Sequence, residues 1–281
     1  MIPIHIALSR MTRNVTDPEL AEVAAALQKQ VARDFGPIWG VTATVDAFAA
    51  DRIPAGYWPI FVQDTLDDPT ALGYHMTEVH KIPYALVLYG ESWSLTASHE
   101  CLEMLADPFG SRMRAGPSPR PDQGRVNFLM EICDPCESPT FAYGVNGVAV
   151  SDFYTPQYFD PVVVPGGRYS FTGAIEQPLQ VLRDGYLTWF ASDGLAYQAR
   201  ADSEGSIAYT DGIDPQHARG RPLREFIDSL VPEHQHGLSN ARLSKELRDA
   251  RANARVASAA HSTSIQSEIR RRYALTRETR A

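Results

Sequence analysis

The chain is expected to fold as an α+β protein, with a mixed sheet and two helices at its start, a β-rich middle and a helical end. Three observations predict this. Residues 17–35 carry apolar side chains at helical spacing. The run Y-A-L-V-L-Y at residues 84–89 leads directly into a second helix-spaced stretch. From residue 126 to 200 the pattern is short β-branched and aromatic runs broken by turn pairs, with no helical period.

Taken in order, residues 2–8 alternate and are β-branched, as an opening strand does. Asp17-Pro18 supplies an N-cap and a proline in the first turn. Leu20, Val23, Leu27, Val31 and Phe35 then line one face of a helix, which Gly36-Pro37 ends. Val41, Ala43 and Val45 alternate with threonines, a second strand reaching about Phe48, and residues 59–63 make a third. Asp67-Asp68-Pro69 is a turn signal. Residues 84–89 read as a strand buried on both faces. The next helix draws its apolar side from Leu95, Leu102, Met104 and Leu105. It stops at Asp107-Pro108, because the residue before proline is disfavoured in the α region.

Residues 111–125, rich in Pro, Gly, Ser and Arg, are expected to form a surface loop separating an upper part (1–110) from a β-rich lower part (111–222). In the lower part, residues 126–132 resume as strand and Cys133-Asp134-Pro135-Cys136 turns. Asn146-Gly147 marks a tight hairpin, and a second hairpin crosses Ser192-Asp193-Gly194. A third region (223–281) opens with Leu223, Phe226, Ile227 and Leu230 on one helical face. It continues as an Arg- and Ala-rich arm that favours helix but buries little.

Composition bounds the function. With 44% hydrophobic and 21% charged residues, this is an ordinary globular chain. No apolar run approaches the ~20 residues of a membrane span, and the N-terminus lacks the basic and apolar regions of a signal peptide. The expected location is therefore the cytoplasm, or outside by export without a cleaved signal. Residues 240–281 carry ten Lys/Arg and four Asp/Glu, so the total of −8 leaves −14 on residues 1–239. An acidic body argues against nucleic-acid binding by the main domain, while the basic arm remains open to a protein partner. Three cysteines make no disulfide framework, and the lone C-x-x-C of Cys133 and Cys136 favours a reduced pair or an adventitious disulfide over zinc.

The chemistry concentrates in W-S-L-T-A-S-H-E-C-L-E-M-L-A-D-P, residues 93–108. His99 and Glu103 are four residues apart, about 6 Å along the axis, and can share a cation, with Glu100 beside His99. Asp107 is about 12 Å from His99 and reads as a helix-terminal or supporting residue. Further ligands must come from elsewhere: Glu131 first, then Asp134, both in E-I-C-D-P-C. His75 and His80 are further candidates, for which a place as surface histidines on a rim is the favoured reading. By spacing alone one His and two Glu are the polar face of an amphipathic helix. Three features shift the balance: the preceding buried strand, the large apolar residues around the polar cluster, and the second group of acids and cysteines one loop later. One His with carboxylates is less zinc-selective than two His, and oxygen-rich sites also admit calcium or manganese. Cys101 reads as a buried thiol on the helix's inner side.

The H-E-C-L-E-M-L-A-D-P stretch followed by E-I-C-D-P-C resembles a zincin-like metallopeptidase family that carries H-E-x-x-E-x-x-x-D-P and a later E-x-x-D-x-C. The resemblance extends over about residues 2–159, and its specific part is confined to 98–108 and 131–136. It implies a zincin-like upper subdomain around an active-site helix and one divalent metal, zinc before calcium or manganese. His99 and Glu103 would be ligands, completed by Glu131 or Asp134. Glu100 would be the base that takes a proton from a metal-activated water attacking a peptide or protein substrate. The strand before the helix would align that substrate by β-addition. The alternative is a non-catalytic structural or interaction protein that keeps such a body, uses a metal as a staple, and joins a phage virion or injection particle through its basic arm.

Overall fold

A computed structural model describes residues 3–67, 71–77 and 82–218, with isolated helical positions at Asp249, Ala252, Asn253 and Ser267. The turn signal at Asp68-Pro69, His80, the helix after Pro222 and most of the basic arm lie outside the described residues.

The α+β expectation holds. The first half is β1 (Ile4–Arg10), α1 (Asp17–Lys29), a short α2 (Gly36–Trp39), β2 (Ala43–Phe48), β3 (Trp58–Gln63), β4 (Gly73–Thr77), β5 (Pro83–Leu88) and α3 (Trp93–Ala106). Its sheet runs β2-β1-β3-β5-β4, parallel throughout except for β4, which pairs antiparallel to β5 at the edge. Ile6, Leu8, Val45, Ile60, Val62, Ala85 and Val87 are buried in one core with Leu27 of α1 and Leu102 and Leu105 of α3.

The details depart from the sequence reading in physically simple ways. Thr16, not Asp17, caps α1: its Oγ1 accepts from the Glu19 N–H at 3.3 Å, and Asp17 and Pro18 open the first turn. The helix does not stop before Gly36; it widens into a π-helical segment, Gln30–Phe35, and ends at left-handed Gly40 (φ 67°). Residues 84–89 are not buried on both faces: β5 alternates between buried and half-buried positions. It is also an inner strand, so the strand available for β-addition is β4, a short Gly-containing segment without a clear sequence signal.

Beyond α3 come β6 (Met113–Pro117), β7 (Arg125–Leu129), β8 (Tyr143–Val145), β9 (Val148–Val150), β10 (Tyr186–Phe190), β11 (Ala196–Ala201) and β12 (Ile207–Tyr209). The expected loop at 111–125 contains β6, which pairs antiparallel with β7. A second sheet, β12-β11-β10-β7-β6, is antiparallel, and the buried Trp189 at its middle donates from Nε1 to Gln123 Oε1 at 2.8 Å. Both hairpins form where expected. In the β8–β9 turn Asn146 and Gly147 both take positive φ (51° and 83°), which the sterics of other residues oppose. Among the described residues no helix is long and apolar enough to cross a membrane.

α3 runs between the first sheet and β9, and twelve of its fourteen residues are buried. A buried triad joins it to both neighbours. Ser98 Oγ donates to Gln30 Oε1 at 2.8 Å and accepts from the Ser151 N–H at 2.9 Å. Gln30 Nε2 in turn donates to the Ser151 carbonyl at 3.0 Å.

Candidate metal centre

Because α3 is covered on nearly every side, its acids are not a solvated face. Glu100 is 3% exposed and Glu103 0%, while Glu131 and Asp134, brought in after β7, are 5% and 2%. Ionised carboxylates in such a place require compensating charge, since desolvation disfavours the charged form strongly. All four predicted ligands and the predicted base therefore lie in or against the interior.

One edge of the cluster is built by β4. Side chains on a strand alternate in direction, so Gly73, His75 and Thr77 face α3 together. A Cβ on Gly73 would lie 2.6 Å from Thr96 Cγ2 and 3.1 Å from Glu100 Oε1, so only glycine leaves room for Glu100 here. Thr77 Oγ1 donates to the Pro108 carbonyl at 3.0 Å, and His75 Nε2 bonds the Asp107 carbonyl at 3.0 Å. A carbonyl only accepts, so Nε2 carries the hydrogen and Nδ1 is turned toward the acids: 3.6 Å from Glu100 Oε2 and 3.9 Å from Glu103 Oε2. Far from being a surface histidine, His75 is 1% exposed. Its burial follows from the pairing of β4 with β5 under α3, which no local pattern announces.

The other edge is built around His99. Its Nε2 is 3.3 Å from Glu103 Oε2 and 3.2 Å from Asp134 Oδ1, and its side chain retains 14% exposure. Burial alone would lower the imidazole pKa, but Glu103, Asp134 and Glu100 overcome this and hold it well above the usual histidine range. Asp134 opens a turn of 3₁₀ helix, Asp134–Cys136, and the tight pitch brings residue i+3, Glu137, alongside it. Donor atoms of His99, Asp134 and Glu137 lie within 4.8 Å of one another, as do those of His75, Glu103 and Glu131. The predicted ligand set is thus divided: Glu131 groups with His75, Asp134 with His99, and Glu103 reaches both histidines. Glu137 was not anticipated; its signal was its position three residues after Asp134.

Supporting contacts fix these groups. The Cys133 N–H donates to Glu103 Oε1 at 3.1 Å, so Oε2 is the oxygen facing both histidines. Asp107 caps α3 and accepts from the Arg112 N–H at 2.7 Å through Oδ2, the helix-terminal role its distance from His99 suggested. Cys101, Cys133 and Cys136 are free and buried, and burial pushes the Cys101 thiol up to about 12. Tyr154 is a further residue the sequence did not single out. Its hydroxyl is fully buried without a hydrogen bond among the described residues, and burial first, then Tyr158, Glu131, Glu103 and Asp134, raise its pKa.

The spacing suits a cation. Metal–ligand bonds of ~2.1 Å meeting at a tetrahedral angle hold donor atoms about 3.4 Å apart. The histidine–carboxylate separations of 3.2, 3.3, 3.6 and 3.9 Å bracket that value. They also exceed the ~2.8 Å of a charge-assisted hydrogen bond. Glu100 Oε2 makes no hydrogen bond among the described residues and is directed at this gap. No protein-family model, curated protein or solved structure matches the chain.

Proposed function

We propose that the protein is a metal-dependent hydrolase, with a peptide bond as the favoured substrate. The observation that carries this reading is the buried convergence of two histidines and several carboxylates at ligand–ligand distances. His99, Glu103 and Asp134 would hold a divalent cation on the solvent-facing side, with Glu137 close by. Mixed nitrogen and oxygen donors suit zinc or manganese better than calcium, whose sites are built of oxygen. A cation held there would polarise a carbonyl and activate water. Glu100 would take the proton, the role that the family resemblance gives it; it follows His99 in the chain and is 3% exposed. The outer edge of β4 pairs with no other strand among the described residues and would orient an extended peptide beside the cluster. The peptide specificity itself rests on the family resemblance.

Metal analysis of the wild type, His99→Ala and Glu103→Ala, with a peptidase assay of Glu100→Gln, tests this. Zinc retained by the wild type and depleted in both alanine variants is expected. Glu100→Gln should keep metal and lose activity by about 10²-fold or more, the usual contribution of a general base. A wild type that binds neither zinc nor manganese sinks the proposal. A metal-loaded protein that cleaves no peptide in a broad library would favour the second reading, a cation used as a staple in a non-catalytic assembly protein. That reading draws on the nearly complete burial of the His75 side of the cluster.

A further inference from the structure

We propose that the centre holds two cations, and that the inner one is a closed structural site formed by His75, Glu103 and Glu131. The inference rests on the reading of the outer cation at His99 and extends it. The donor atoms of His75, Glu103 and Glu131 lie within 4.8 Å of one another, and all three residues are at least 95% buried. The set around His99, Asp134 and Glu137 meets the same distance limit but faces solvent at His99 and Glu137.

Glu103 links the two halves. One oxygen, Oε2, stands 3.3 Å from His99 Nε2 and 3.9 Å from His75 Nδ1, while Oε1 is occupied by the Cys133 N–H. One carboxylate oxygen close to a histidine on each side is the arrangement of a bridge between two ions, which in two-metal sites lie about 3.5–4 Å apart.

Two independent features point to a ligand on the inner side. His75 is oriented as metal-binding histidines are, with one ring nitrogen bonded to a backbone carbonyl, Asp107, and the other turned to the acids. Nδ1 stands 3.6 Å from Glu100 Oε2 and 3.9 Å from Glu103 Oε2, separations that two ligands of one ion can take. Glu100 Oε2, buried and without a hydrogen bond among the described residues, is directed at the same gap, 3.6 Å from His75 Nδ1. Among the described residues, Glu100, Glu103, Glu131, Asp134 and Glu137 gather around the imidazoles of His75 and His99.

The division of labour follows from access. The inner set is at least 95% buried, and that seclusion is what assigns it the structural position in this proposal. The outer set, with His99 partly exposed, is the one that can admit water and substrate.

The test is zinc content per chain after metal stripping, reconstitution and dialysis. Wild type should retain two equivalents, His75→Ala one and His99→Ala one. Zinc-edge anomalous scattering from wild-type crystals reads the same question without a variant and should give two peaks about 3.5–4 Å apart. Failure of His75→Ala to fold therefore leaves the proposal open to refutation. One equivalent and one peak, located at His99, overturns the inner site and leaves the hydrolase reading standing. One peak at His75 alone overturns the pair and removes the outer cation on which that reading depends. Two equivalents that His75→Ala does not reduce mean that the second ion is adventitious, and they also overturn the inference.

Discussion

The raised pKa of His99 would make the proposed metal binding dependent on pH in a range where an ordinary histidine would be silent. In the metal-free protein the carboxylates of Glu103, Asp134 and Glu100 outweigh burial and keep His99 protonated well above the usual histidine value. A cation at Nε2 requires the neutral ring, so binding must displace that proton. Below the metal-free pKa, each unit of pH therefore changes apparent affinity about tenfold, or ~1.4 kcal/mol. Between pH ~6.5 and ~7.5 a histidine of ordinary pKa would give a change of only about twofold. The expected outcome is zinc affinity that rises roughly tenfold over that unit, measured by competition with a fluorescent chelator of known proton linkage. Calorimetry in buffers of different ionisation enthalpy should show about one proton released per outer cation. The sign for the metal-free fold is opposite. A raised folded-state pKa stabilises below the unfolded value near ~6.5, and that contribution is lost as pH climbs through the folded value. Affinity that is flat above pH ~6.5 would refute His99 as a ligand in this electrostatic setting.

Two further perturbations test the frame that holds the centre. Ser98→Ala removes the hydroxyl that satisfies both Gln30 Oε1 and the Ser151 N–H. At ~1–3 kcal/mol per buried orphaned group, the metal-free protein should lose about 2–6 kcal/mol in urea unfolding, and a loss below ~1 kcal/mol would mean that the triad does not couple α3 to its neighbours. Gly73→Ala puts a methyl 2.6 Å from Thr96 Cγ2 and 3.1 Å from Glu100 Oε1. Overpacking of this kind costs about 1–3 kcal/mol, so the melting temperature should fall, and zinc affinity should fall with it as Glu100 is displaced toward His75. Unchanged melting and zinc binding would show that β4 yields freely at this point.

What could be read from the sequence was what local chemistry dictates. The helix from Leu20 to Phe35 announced itself by spacing, the β8–β9 turn by a dipeptide that readily takes positive φ twice, and the end of α3 by Asp107-Pro108. What escaped depends on chain meeting chain. β4 and β6 are five-residue strands containing glycine, and each exists because a partner strand, β5 or β7, pairs with it. His75 became an interior residue through that pairing. Glu137 joined Asp134 because the backbone after Cys133 tightened to three residues per turn, a conformation the sequence does not declare.

Burial decides how the polar residues of α3 should be read. A histidine and two glutamates on a helix are ordinarily its wet side, and their spacing cannot separate that reading from a site. The covering of α3 by β4, β5 and β9 does separate them, because a desolvated carboxylate must be protonated, paired or bound to a cation. Pairing with the two histidines answers part of this demand. Yet His75 is held to the Asp107 carbonyl through Nε2, and its Nδ1 stops 3.6 and 3.9 Å short of the acids, beyond hydrogen-bond reach and within the span of a shared ion. A side chain fixed at that distance by a bond on its far side cannot close the gap by rotating. The separation between Nδ1 and the carboxylates is therefore built into the fold, and it is where the proposed inner cation would sit.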